Sequence, residues 1–295
     1  MRRLETQLLE FVATAPHRAR IANDPIELPH RYTDPRDVEV AGLLSASLAY
    51  GRVDLFKPKL EALLAQMGRS PAAFVTELDL PGAERLLSGF VYRFNVAADL
   101  AVLLLGMGQA LRTRGSLEAL FLEGLDPDWH SSISRFTLAL RKIPLGPLEE
   151  RLGPTRGLNH LLPSPLGPGA AKRLNLYLRW MVRGPDEVDF GIWRGVPASR
   201  LLIPLDTHIA RISQRIGLTR RKDLGWKTAE EITSALRTVD PADPVRFDFA
   251  LCHHGMSGRC PPTPIRAECE RCALRSVCRV GRRLLVKSRV QALTR

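Results

Sequence analysis

Gly167-Pro168-Gly169-Ala170-Ala171-Lys172 and Leu205-Asp206-Thr207-His208-Ile209-Ala210-Arg211-Ile212 are the two stretches on which the reading of this chain turns. Each sets turn or capping residues at the mouth of a segment whose apolar residues recur three and four apart, the period of an amphipathic helix. Residues 170–183 carry Leu174, Leu178 and Met181 on one side and Lys172, Asn175, Arg179 and Arg183 on the other, which predicts a polar, basic face around Lys172. After Asp206, the residues Ile209, Ile212 and Ile216 predict an inward apolar stripe.

The same period extends outward in both directions. Residues 2–13 place Leu4, Leu8, Phe11 and Val12 on one face, and residues 37–49 are so densely apolar that a helix buried nearly all round is expected, ended by Tyr50-Gly51-Arg52. Residues 56–66, 83–94, 97–112, 116–122, 129–140, 226–239 and 244–254 read as further helices. No sustained period-two alternation with β-branched residues interrupts them, so the predicted class is all-α. Residues 16–36 read as irregular and residues 184–204 as a long connection. Residues 143–170, crowded with Pro144, Pro147, Pro154, Pro163, Pro165 and Pro168, can hold only short helices and read as a seam between two lobes.

Charge narrows the partners. The 295 residues hold 43 Lys and Arg against 31 Asp and Glu, a net +12 with pI near 10.1, which favours a polyanion such as nucleic acid. Glu5, Gln7 and Glu10 interrupt the apolar run a signal peptide needs, and residues 100–111 are too short an apolar run to span a bilayer. A cytoplasmic chain with no membrane partner is therefore expected.

All five cysteines fall between Cys252 and Cys278, an odd, clustered set that favours metal ligation over disulfides. Cys260-x8-Cys269-x2-Cys272-x5-Cys278 offers four thiolates in one compact loop, as a 4Fe-4S cluster or a tetrahedral four-thiolate zinc site requires. Cys252, within Phe249-Ala250-Leu251-Cys252, reads as a buried thiol, and His253 and His254 as helix-end residues that could also serve as ligands.

Asp206 stands where an N-cap is expected. A carboxylate there is held ionised by the helix dipole and backbone NH donors, and it can stabilise a developing positive charge. The turn from Gly167 to Gly169 can aim NH groups at an anion, and Lys172 can either contact a phosphate or, if desolvated, attack an electrophilic sugar carbon. The plainer readings of the three are a loop, a solvated lysine and a helix cap. The catalytic reading requires Lys172 and Asp206 to share one cleft.

Together these motifs resemble the helix-hairpin-helix DNA glycosylase superfamily. Ile203-Pro204-Leu205-Asp206-Thr207-His208-Ile209 is similar to the V-D-T-H-I aspartate segment of its endonuclease III-like branch. His254-Gly255 followed by Cys260, Cys269, Cys272 and Cys278 is similar to that branch's C-x6-C-x2-C-x5-C iron-sulfur loop, and Leu43-Leu44-Ser45-Ala46 to its L-L-S-A helix. The chain departs from the pattern in four places. One extra residue separates Gly169 from Lys172, the first cysteine gap is x8, Ser47 replaces a glutamine, and 33 residues lie between Lys172 and Asp206, a spacing closer to the archaeal 8-oxoguanine glycosylase branch. An uncharacterised bacterial branch of the superfamily would accommodate these differences.

The resemblance implies two helical lobes flanking a DNA-binding cleft. Residues 36–183 would form a barrel lobe ending in the hairpin and the Lys172 helix, and residues 1–35 with 184–295 a second lobe carrying Asp206 and the metal-cluster loop. Lys172 would be the Schiff-base nucleophile and Asp206 the catalytic carboxylate of a monomeric, nucleoid-associated glycosylase with abasic-site lyase activity, acting on duplex DNA that holds a damaged or modified base. Gly167, Gly169, Arg173, Arg179, Tyr50 and Arg52 would contact that DNA, with Arg93, Trp180 and Trp193 as further candidates for stacking or phosphate contact. Two alternatives stand beside this: a non-catalytic iron-sulfur protein that recognises DNA structure, and a four-cysteine zinc protein that binds RNA.

Overall fold

The computed structural model describes residues 2–142, 155–163 and 169–284. The chain is all-α; among the described residues the one sheet is a ladder pairing Val91 with Val96 and Tyr92 with Asn95. Two compact units are formed. One is Ile21–Val196, and the other joins residues 2–20 to the described chain after Val196.

In the first unit the Pro35–Leu48 helix opens on an Asp34 cap, whose carboxylate accepts from the Arg36 NH at 2.8 Å, with Pro35 in the first turn where its missing NH costs nothing. Every residue from Asp37 to Leu48 is buried, as the apolar density predicts. Four of them are polar, Asp37, Glu39, Ser45 and Ser47, and Glu39 is the most extensively bonded. Its carboxylate accepts from the NH groups of Leu117 and Glu118 at 3.0 and 2.9 Å, capping the Leu117–Glu123 helix, and from Trp193 Nε1 at 2.7 Å. Trp193 in turn sits against Phe121, Phe136 and Tyr177, with ring centroids 5.4 to 6.3 Å apart. The Ala97–Arg114 helix is buried along most of its length because Gly106 and Gly108 let the backbones of Leu140 and Val75 touch it directly; a Cβ at either glycine would collide with a carbonyl oxygen.

Three features differ from the periodicity reading. The helix expected over residues 83–94 stops at Leu86, and a hairpin follows with Arg93 at its tip in the left-handed region (φ 56°). Strands of two residues are too short to register as alternation. Residues 25–31 and 184–196 belong to the first unit, so its seams fall at 20/21 and 196/197 rather than at 35/36 and 183/184. Ile26, Leu28 and Trp193 are buried within it, His30 Nε2 donates to the Val188 carbonyl at 2.8 Å, and Phe190 and Trp193 NH groups bond to the Trp180 and Met181 carbonyls. Finally, the Lys172–Val182 helix lacks the expected basic face, because Asn175 and Arg179 are 1 % and 2 % exposed. Arg179 is neutralised internally by Asp189, whose carboxylate also accepts from Arg183 at 2.7 Å.

In the second unit the Arg2–Ala13 helix buries Leu8, Phe11 and Val12 and packs on the Ala273–Ser276 turn, the Thr207–Ile216 helix packs against Asp248–Met256, and the Trp226–Arg237 helix buries Ala229, Ile232 and Leu236. Among the described residues no helix is long and apolar enough to cross a membrane.

Candidate active site and thiol loop

Asp206 is the N-cap of the Thr207–Ile216 helix, with extended backbone and with Oδ1 accepting from the His208 and Ile209 NH groups, both at 2.8 Å. The carboxylate thus satisfies two of the helix's orphan donors and meets its positive dipole end. Cys252 Sγ donates to the second oxygen, Oδ2, at 3.5 Å. Cys252, which reads from the sequence as a buried thiol, is half-buried, and the crossing of two helices brings it to the carboxylate. Gly255 sets that crossing, since a Cβ there would stand 2.7 Å from His208 Cβ.

One turn and two turns into the same helix, Arg211 and Arg215 project from one face at the i, i+4 spacing. Arg211 Nε donates to the Cys260 carbonyl at 2.9 Å, and Arg215 donates to Cys260 Sγ at 3.1 Å and to the Pro262 carbonyl at 2.7 Å. The helix that begins with Asp206 therefore holds the first cysteine of the loop. Nothing in the spacing of the motifs requires this connection.

Cys260, Cys269, Cys272 and Cys278 all line one small cavity together with Arg215, Arg259 and Arg275. The Gly281 NH points to Cys278 Sγ at 3.3 Å, and His254 Nε2 lies 3.5 Å from Cys272 Sγ, at the edge of the set. Burial, with the neighbouring thiols adding to it, pushes the Cys272 thiol up to about 11 and raises Cys269 as well. Burial also lowers His254 to about 4, so its ring is neutral at pH 7. Among the described residues no three His, Cys, Asp or Glu side chains form a ready single-ion site. The donor set, four sulfurs around one cavity with an arginine and a backbone NH directed at them, suits a group bound through thiolates, whose negative charge those donors offset.

Lys172 and Asp206 belong to different units. Lys172 is the first residue of its helix and half-buried; Ala171 before it takes the left-handed conformation (φ 45°), where the sequence places the turn at the glycines. Gly169 is exposed and not left-handed, and Gly167 lies outside the described residues. Asn175 Nδ2 reaches back to the Ala170 carbonyl at 3.0 Å and so ties the turn to the helix.

The remaining sequence candidates divide into two groups. Tyr50 stacks on Phe94 (centroids 5.5 Å, 19° between planes) and meets His160 edge-on, while Arg173, Arg93 and Arg156 lie over the Tyr50 and Phe94 rings at 5.1, 5.9 and 5.6 Å. Arg173 is itself engaged, donating to the Ser47 carbonyl and to His160. Burial, reinforced by the three arginines, lowers His160 to about 4. This half-exposed cluster of aromatic rings and cations offers stacking faces with positive charge beside them. Arg52, exposed, pairs with Asp54 at 2.5 Å. Trp180 and Trp193 are core residues and Arg179 is buried, so none of the three presents a surface to a ligand here.

The fold and site define an all-α protein with a capped carboxylate tied to a four-thiol loop. Residues 24–257 match the family described as "Protein of unknown function (DUF2400)", and the chain belongs to that family. The matched span includes Lys172 and Asp206 and ends before Cys260. Comparison with curated proteins and comparison with solved structures each returned no match.

Proposed function

We propose that the protein is a DNA base-excision glycosylase with abasic-site lyase activity, of the helix-hairpin-helix type. The observation that carries this reading is Asp206: a carboxylate fixed by two backbone donors at a helix N-terminus, on the helix whose Arg211 and Arg215 hold Cys260. A carboxylate so placed needs no reorganisation to face the positive charge that develops on the sugar as a glycosidic bond breaks.

A damaged or modified base is extruded from the duplex. The Lys172 amine then forms a bond to C1′ through its nitrogen lone pair as the C1′–N bond breaks, and the base leaves with that bond's electron pair. Asp206 balances the oxocarbenium-like charge and accepts the proton the amine loses. Ring opening, with the proton passing on from Asp206 to O4′, gives a Schiff base between Lys172 and C1′; a C2′ proton is then lost to water as the 3′-phosphate leaves with its bonding electrons, and hydrolysis frees the lysine. The Tyr50–Phe94 rings and the arginines over them supply stacking faces and phosphate contacts at the DNA surface.

Cys260, Cys269, Cys272 and Cys278 would hold a 4Fe-4S cluster, with zinc as the alternative. When bound, the group supplies thiolate–metal bonds that cross-link the loop. Arg215 and the Gly281 NH donate to the ligating sulfurs, and Arg211 fixes the loop's start against the Asp206 helix.

The engagement of Arg173 and Arg179 within the protein, and the left-handed turn at Ala171 rather than at a glycine, favour a second reading in which DNA structure is recognised without bond cleavage. Incubation with duplexes bearing single lesions, followed by heating in alkali to cut abasic sites, separates the two. Strand scission at one lesion supports the glycosylase. Salt-dependent binding with no scission across the panel supports the second reading.

A further inference from the structure

A cavity of about 540 Å³ opens in the unit that carries Asp206. The Asp206 helix meets the Asp248–Met256 helix at Cys252 and Gly255, whereas the cavity is lined from that helix by Phe249, Ala250, His253 and His254. The two sites thus use different positions of one helix.

Rings form the cavity's wall. His17 stacks on Phe249 with centroids 5.8 Å apart and 27° between planes, Phe249 lies 4.2 Å from His253, and Phe11 meets His254 edge-on at 5.3 Å. Three arginines line it against a single acid, Glu268, which Arg271 engages at 3.0 Å. Arg20 and Arg259 have no carboxylate partner among the described residues. An aromatic wall beside two uncompensated guanidinium groups suits a flat heteroaromatic ring that carries phosphate. The volume lies within the range of roughly 300 to 1,000 Å³ typical of small-molecule pockets, which favours a free molecule over a polymer backbone.

We propose that this cavity binds a nucleoside phosphate, with its base against the Phe249 and His253 rings and its phosphate on Arg20 and Arg259. The cavity adjoins the thiol loop, sharing Arg259 and Cys272 with it, and is lined by neither Asp206 nor Lys172.

Titration calorimetry on the full-length protein tests it with AMP, ADP, adenosine and inorganic phosphate as probes. AMP or ADP should bind saturably at one site per chain, and adenosine and phosphate each about ten-fold or more weaker. Ser257→Trp, which fills the cavity from an exposed position, and Arg20→Glu, which reverses a rim charge, should each weaken the nucleotide about ten-fold or more, while Asp206→Asn leaves it unchanged. No binding of either nucleotide at millimolar concentration, equal affinity in both cavity variants, or phosphate bound as tightly as AMP would overturn the proposal.

Discussion

Asp206 has a structural role as a helix cap and a proposed catalytic one, and substitution can separate the two. Oδ1 caps the helix through the His208 and Ile209 NH groups, and the net negative charge is the proposed catalytic element. Asp206→Ala removes both. Loss of an N-cap of this kind costs about 1 kcal/mol, within a range of roughly 0.5 to 2, and for a chain of this size about 1 kcal/mol lowers the melting temperature by about 2 °C. Asp206→Asn keeps an oxygen acceptor at the same point, and Asn caps about as well as Asp, so stability should change by less than about 0.5 kcal/mol. The charge is lost in both variants. Removing a preorganised electrostatic partner of a transition state slows chemistry about 10²- to 10³-fold, about 3 to 4 kcal/mol. Thermal melts and single-turnover base release on the same preparations should therefore show Ala unstable and slow, and Asn stable and slow. An Asn variant that releases base at the wild-type rate refutes the catalytic assignment; one that melts like the Ala variant refutes the capping assignment.

Further outcomes follow from the rest of the molecule. Serine at Cys260, Cys269, Cys272 or Cys278 should each lower bound iron and sulfide and the visible absorption of the purified protein, measured by elemental analysis and spectroscopy; zinc at one equivalent in the wild type would select the alternative metal. Asp189→Ala should destabilise the protein by about 3 to 5 kcal/mol in denaturant titrations, because it strands the buried Arg179 and leaves Arg183 short of a partner. His160, lowered to about 4 by burial and by Arg173, Arg93 and Arg156, binds its proton more weakly when folded than when unfolded near 6.5. Its contribution is intact above the unfolded value and is lost as pH falls from about 6.5 towards 4. His160→Gln should flatten the fall in stability between pH 7 and pH 4.

Periodicity makes much of this fold legible. The Pro35–Leu48 and Ala97–Arg114 helices announce themselves by apolar residues on every side, and Asp206 by its place before Thr207 and a run of spaced isoleucines. The cysteine spacing brings the four thiols to mind as one set, and they do line one cavity. What the pattern hides depends on distant residues. Arg179 falls on the polar side of its helix by count, yet Asp189, ten residues on, draws its charge into the core; the carboxylates at 186, 187 and 189 were the available signal. Glu39 within an apolar helix reads as an error of patterning until Leu117, Glu118 and Trp193 arrive as its donors. The links from Arg211 and Arg215 to Cys260 cross 49 and 45 residues of chain and carry no local signature.

Lysine attack at a sugar carbon passes through an imine, which borohydride reduces to a stable covalent bond. With duplex DNA bearing a lesion or an abasic site, the wild-type protein should form a covalent protein–DNA adduct, and Lys172→Ala should form none while keeping its affinity for DNA within about ten-fold. An adduct that persists in Lys172→Ala, or no adduct on any substrate that the protein demonstrably binds, would rule out Lys172 as the nucleophile.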